Sequence, residues 1–326
     1  MLKSIRIMLA IATFYDYEIW QMDVKTAFLN GFLEEELYMM QPEGFIDPKG
    51  ANKVCKLQRS IYGLVQASRS WNKRFDSVIK AFGFSKTQCP TTSDREKMKD
   101  VPYASAIGSI MYAMMCTRPD VCLAISLAGR YQSNPGVDHW TAVKNILKYL
   151  KRTKDMFLVY GGDKELIVNG YVDASFDTDP DDSKSQTGYM FILNGGAVSW
   201  SSSKQSVVVG STCEAEYIAA SETANEGVWK KEFISDLGII PSASGPMKIF
   251  CDNTGAIALA KESRFHKRTK HIKRRFNSIR DQVRVGDIEI CKIHMDPNVA
   301  DPLTKPLSRA KHDQHQDSMG VRIITV

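Results

Sequence analysis

At 326 residues the chain is long enough for two or three domains and a substantial core. With 43% hydrophobic and 25% charged residues it has the composition of an ordinary folded protein, which excludes a collagen-like, low-complexity or disulfide-stapled chain. The net charge of +6 is mild, so where the charges lie matters more than their sum. Seven cysteines are scattered without a Cys-x-x-Cys pair, so neither a disulfide framework nor a zinc site is implied and a reducing compartment is expected. The apolar run from Ile7 to Phe14 is too short to span a bilayer and lacks a signal-peptide cleavage pattern. An intracellular protein, cytoplasmic or nuclear, not secreted and with no membrane partner, is the expectation.

In chain order, the first ninety residues mix short strands and helices around turns at Asn30-Gly31, Pro42-Glu43-Gly44 and Pro48-Lys49-Gly50. Apolar residues at helical spacing (Trp71, Phe75, Val78, Ile79 and Phe82) predict a helix that stops at Gly83. Residues 88–100 are polar and rich in turn formers, as a linker would be. A helical stretch follows, interrupted at Thr117-Arg118-Pro119-Asp120 and at Asn134-Pro135-Gly136, and its last piece, His139 to Leu150, is amphipathic.

From about Leu158 the pattern changes to three strands, a long helix, a strand, helices, a strand and a helix. The early strands fall near 166–173, 187–194 and 196–203, the last two joined by the hairpin signal Asn194-Gly195-Gly196. The long helix is expected from Ser211 to Leu237, capped by Ser211-Thr212 and ended before Gly238. Further strands are expected at Lys248 to Cys251 and Ile288 to His294. The fold class is therefore α/β (α+β mixed), a mixed sheet of five strands with flanking helices over 158–310, preceded by segments 1–93 and 94–157 and followed by a tail, 311–326.

Four acids sit at the ends of these elements: Asp173, Glu216, Asp252 and Asp301. Elements packed side by side can bring such ends together, and clustered acids repel unless cations bind them. A carboxylate cluster holding two divalent ions is the usual machinery for cutting a phosphodiester bond, so a nuclease is the first expectation. Between Lys261 and Arg284 there are ten Lys or Arg against two acids, Glu262 and Asp281. Such a block, with Lys261, Lys267, Arg268, Lys270, Lys273, Arg274 and Arg275, suits a polyanion held beside the acids, although a solvated helix face is the commoner fate of a charge run. The Ser-rich stretch Ser199 to Ser206 could donate to phosphate or 2′-hydroxyls, or serve as a polar strand edge. Trp140 and Trp200 are expected in the core.

The chain resembles the C-terminal part of a copia-type LTR-retrotransposon Pol polyprotein, covering reverse transcriptase and ribonuclease H. The resemblance rests on QMDVKTAFLNG (21–31), LYMMQPEGF (37–45), KLQRSIYGLVQASRSW (56–71), YASAIGSIMYAMMCTRPD (103–120), GYVDAS (170–175), STCEAEYIAA (211–220), FCDNTGAI (250–257) and NVADPLTKPL (298–307). It implies that 1–93 is a truncated fingers and palm remnant, 94–157 a helical thumb or connection, and 158–310 a ribonuclease H-like domain. Asp23 would be the first metal-binding carboxylate of the palm, but the Tyr-x-Asp-Asp string that completes such a site is absent. The only Asp-Asp is Asp181-Asp182, in the loop between the first two nuclease strands, so the middle of the polymerase is expected to be missing.

For the nuclease, the resemblance selects Glu216 over Glu214, because Glu216-Tyr217-Ile218-Ala219-Ala220 fits the family string better. The two acids lie roughly 200° apart around a helix, so only one can face a shared site. His294 is a weaker candidate for assisting proton transfer. The implied cofactor is a pair of Mg²⁺ ions, which Mn²⁺ can replace, with no small-molecule cofactor, and the implied partner is an RNA–DNA hybrid whose RNA strand is cut. The alternative is a degenerate, catalytically silent nucleic-acid-binding relic.

Overall fold

The computed structural model describes residues 2–19, 32–40, 54–59, 89, 98–239, 245–262 and 278–324. By internal contacts the chain divides into two units, one of residues 18–77 and one of residues 1–17 with 78–326. The first unit contains strands β1 (Phe32–Met40) and β2 (Val54–Arg59), paired antiparallel with Met40 opposite Val54. The helix expected over 71–82 lies outside the described residues.

The second unit opens with helix α1 (Leu2–Phe14), whose Ile7, Ala10 and Ile11 are buried in the main core. This placement was not expected, since α1 belongs to the segment assigned to a polymerase remnant. A helical layer follows: α2 (Tyr103–Cys116), α3 (Cys122–Ala128) and α4 (Val137–Arg152), broken at the two predicted interruptions. Pro119 and Pro135 lack the amide a continuing helix needs. At the first break Arg118 forks onto Asp120 at 2.9 and 2.6 Å, and Asp120 also accepts from Tyr149 on α4 at 2.6 Å.

The sheet that dominates the unit has five strands in the order β6-β5-β4-β7-β8. These are β4 (Asn169–Ser175), β5 (Gln186–Leu193), β6 (Gly196–Lys204), β7 (Met247–Cys251) and β8 (Ile288–Lys292). The β4-β5-β6 meander is antiparallel, whereas β7 and β8 run parallel to β4. The hairpin turn falls at Asn194-Gly195, both with positive φ, as a two-residue hairpin loop requires. The long helix α5 (Thr212–Leu237) crosses from β6 to β7 and packs on one face. Ser211 caps it by accepting from the Glu214 amide, and Gly238 ends it at φ 65°, a left-handed position that glycine adopts without strain. The expected mixed α/β architecture is thus present. Shorter helices α6 (Thr254–Lys261) and α7 (Ser278–Val285) follow β7.

The last residues, expected as a tail, fold back as helix α8 (Arg309–Ser318) and strand β9 (Val321–Ile323), which pairs with β3 (Met156–Leu158). Buried Met319 and Val321 drive this return, and Gln316 of α8 donates to Asp120 at 2.9 Å. No helix among the described residues is long and apolar enough to cross a membrane.

Candidate active site

Parallel pairing sets the first two acids side by side. Tyr171 of β4 faces Phe250 of β7, and Asp173 and Asp252 each lie two residues further on, at the same edge of the sheet. Asp301 arrives from the loop after β8, in a short 3-10 turn, Asp301–Leu303. That loop is strapped to β4 by Asn298, whose side-chain amide donates to the Val172 carbonyl at 3.0 Å. Its close approach needs Gly188 on β5, where an added Cβ would come within 2.6 Å of Thr304 and 2.8 Å of Leu303. One carboxylate oxygen from each of Asp173, Asp252 and Asp301 lies within 4.8 Å of the others.

Glu216 enters from α5 and accepts from the Ala174 amide at 3.2 Å through Oε1. It groups with Asp252 and the Cys251 thiol, ligand atoms again within 4.8 Å. Glu214 points elsewhere and accepts from the Gly210 amide at 2.9 Å, bracing the helix start. The helix phase therefore separates the two acids as their spacing requires.

Asp173, Glu216 and Asp301 are all buried, and the electrostatics follow from that. Burial first, with Asp301 and Asp252 nearby, pushes the Asp173 carboxyl up to about 6, although Lys305 and the Thr304 hydroxyl oppose the shift. Glu216 is driven up to about 9 by burial, then by Asp173 and Asp252. Burial also raises Asp301, against Lys305. Burial pushes the Cys251 thiol up and Glu216 adds to it, so the sulfur stays protonated and is a poor ligand.

Several contributors were not singled out from the sequence. The Thr304 hydroxyl donates to Asp173 and also lies 3.0 Å from the Asp301 carbonyl. The Lys305 ammonium lies 3.1 Å from Asp301 and 3.6 Å from Asp173. Burial works against that ammonium, but the two acids outweigh it and its pKa is raised. His315 on α8 is buried, and burial lowers its pKa while Asp301 opposes. Both Thr304 and Lys305 sit in the NVADPLTKPL string, but only the folded loop shows what they touch.

His294 is not brought to the acids. It lies exposed beyond β8, its Nδ1 3.7 Å from Asp296. The strand before it ends at Lys292, which leaves His294 in a loop that turns outward. Asp23 lies outside the described residues, as do Lys267, Arg268, Lys270, Lys273, Arg274 and Arg275 of the basic block. Of the rest of that block, Lys261 is exposed at the end of α6, while Arg280 donates to the Leu259 carbonyl at 2.9 Å and so serves packing. Two of the serines on β6 also face the protein: Ser199 donates to Glu226 at 3.2 Å and Ser202 to the Leu303 carbonyl at 2.6 Å. Trp200 is buried, whereas Trp140 is only half-buried.

Oxygen donors dominate both acid groups, which suits Mg²⁺ or Mn²⁺ better than a soft ion. Two oxygens, Oε2 of Glu216 and Oδ1 of Asp301, are buried without a hydrogen-bond partner, and a bound cation would satisfy them. The residues present therefore fit a divalent metal.

A family model described as reverse transcriptase (RNA-dependent DNA polymerase) matches residues 1–92. The retrovirus-related Pol polyprotein from transposon TNT 1-94 of Nicotiana tabacum is 35% identical over 429 residues, covering 98% of this chain and 32% of the relative. That alignment is about a hundred positions longer than the chain itself. The corresponding polyprotein from transposon RE2 of Arabidopsis thaliana is 30% identical over 418 residues, covering 98% of this chain and 28% of the relative. The chain thus spans about a third of the length of these relatives. Among solved structures, LC11-RNase H1, isolated from compost by a metagenomic approach, is 17% identical and covers 45% of this chain and 96% of its own, with a TM-score of 0.32. With motifs in the family's order from residue 21 to 307 and relatives matched over nearly all its length, the chain is similar to the copia-type retrotransposon Pol polyproteins.

Proposed function

We propose that residues 158–310 act as a ribonuclease H, an endonuclease that hydrolyses the RNA strand of an RNA–DNA hybrid. The observation that carries this reading is the convergence of Asp173, Glu216, Asp252 and Asp301 from four separate elements. Divalent ions held by these acids would supply an activated water and stabilise the leaving 3′-oxygen. The chain's own part is positional. Asn298 and Thr304 fix the Asp301 loop against β4, and the Ala174 amide orients Glu216. The basic block, with Lys261, Lys267, Arg268, Lys270, Lys273, Arg274 and Arg275, would follow the phosphates of the hybrid, so binding should weaken steeply with salt. Discrimination of RNA from DNA would come from the 2′-hydroxyls and the A-like shape of the duplex.

We further propose that the polymerase portion is inactive. No Tyr-x-Asp-Asp string is present, and the alignment with the tobacco relative contains about a hundred positions more than this chain can fill. Asp23 alone cannot balance two metal ions. The same loss favours a second reading, in which the whole chain is a silent nucleic-acid-binding relic. A hybrid labelled on its RNA strand separates the two: the full chain in Mg²⁺ or Mn²⁺ should shorten the RNA and leave double-stranded DNA intact. A folded chain that binds the hybrid without cutting it would favour the relic.

A further inference from the structure

We propose that Lys305 is a tethered counter-ion of the acid group: its ammonium holds Asp173 and Asp301 together while no divalent ion is bound and must withdraw before one can take its place. The proposal rests on the metal-binding reading given above and adds a regulation of that site. Lys305 Nζ lies 3.1 Å from Oδ2 of Asp301 and 3.6 Å from Oδ2 of Asp173, so one cation bridges two acids that also group with Asp252. A divalent ion bound to the same carboxylates would face this positive charge at close range, and the two cannot share the position.

The geometry supplies both a tether and an exit. The Lys305 amide donates to the Asp301 carbonyl at 3.2 Å, which anchors the residue one turn from its partner. Thr304 is pinned to Asp173 and to Asp301, so the loop itself is held and the movement falls to the lysine side chain. That side chain is 34% exposed and so has an open path to solvent. Meanwhile the single charge of the ammonium leaves Oδ1 of Asp301 and Oε2 of Glu216, in residues only 7% and 4% exposed, without any partner. Those two oxygens mark what the lysine cannot satisfy and a divalent ion would.

Titration of the full chain with Mn²⁺, followed by electron paramagnetic resonance, tests the proposal alongside the thermal midpoint of the metal-free protein. Lys305→Met keeps the stem and removes the charge. Its Mn²⁺ dissociation constant should fall roughly tenfold, and its metal-free midpoint should drop because the two bridged acids lose their cation. Lys305→Arg should stay within about twofold of wild type. So should Lys311→Met, which removes an equal charge from a surface pair with Asp296. Equal Mn²⁺ affinity in wild type and Lys305→Met, or an unchanged metal-free midpoint, would overturn the proposal and leave the nuclease reading standing. Absence of Mn²⁺ binding in both chains would overturn the two together.

Discussion

Arg6 sets its guanidinium 4.1 Å from the centre of the Trp200 ring and donates through Nε to the Val198 carbonyl at 2.8 Å. The same side chain reaches the Met115 carbonyl at 2.6 Å, so one residue near the N-terminus ties β6 to the end of α2. Asn194 completes the attachment by donating to the Ala10 carbonyl at 3.0 Å. Helix α1 is in this way a working part of the unit that carries the acids.

Arg6→Ala should therefore lower the stability of that unit by about 2–3 kcal/mol, from lost hydrogen bonds to buried carbonyls and the lost ring contact. Urea unfolding followed by tryptophan fluorescence reports it. A change below about 0.5 kcal/mol, the size expected of an ordinary surface substitution, would show that α1 is merely attached.

A second buried charge sits nearby. Lys230 is fully buried, 4.1 Å from the Phe191 ring centre and paired with Glu226, which also accepts from Lys3 at 2.7 Å. Glu226→Ala should destabilise by about 3–5 kcal/mol, because it strands a buried ammonium. The pair Glu226→Leu with Lys230→Met should be far milder than the single change, and a double-mutant cycle measures the difference.

The acid site gives the metal-free protein a characteristic pH dependence. Asp173 and Glu216 have folded-state pKa values raised to about 6 and about 9. The folded chain thus binds more protons than the unfolded one above the ordinary carboxylate range, and stability falls as pH rises through that window. In EDTA the thermal midpoint should decline between about pH 4.5 and 9, and Asp173→Asn should recover on the order of 2 kcal/mol at pH 7. Saturating Mg²⁺ should flatten the decline. A midpoint that rises over the same window would contradict the burial of these acids.

Primer extension on an RNA template with dNTPs and either metal should give nothing above background. The warrant is the missing Tyr-x-Asp-Asp string and the isolated Asp23. Template-dependent extension that disappears in Asp23→Ala would overturn this.

Much of this was legible before the structure, for local reasons. The hairpin announced itself through Asn194-Gly195, the long helix through Ser211 and Gly238, and the acids through their places at element ends. What could not be read depends on partners far away along the chain. The apolar run at Ile7 was visible, but the core it completes lies more than 150 residues on, around Leu166 to Val198. The serines of β6 look available for phosphate in one dimension, yet Ser202 is turned onto the loop carrying Asp301. Lys305 could be seen four residues after Asp301, but not that it also reaches Asp173 on another strand. His294 was only a weak candidate, at a poor spacing from Asp301, and with the strand ending two residues earlier than expected it lies exposed in the loop beyond.

Strand-specific cleavage is the most direct measurement. Full chain, Asp173→Asn and Asp252→Asn are incubated in Mn²⁺ with a hybrid labelled on its RNA strand, and binding is followed in parallel by anisotropy. The wild type should release RNA fragments while each Asn variant folds, binds the hybrid within about threefold and cuts at least a thousandfold more slowly, because a metal-ligand charge is gone and the shape is kept. Fragments produced equally by wild type and both variants, or a folded wild type that binds the hybrid and leaves the RNA whole, would contradict the assignment of Asp173, Glu216, Asp252 and Asp301 to a nuclease site.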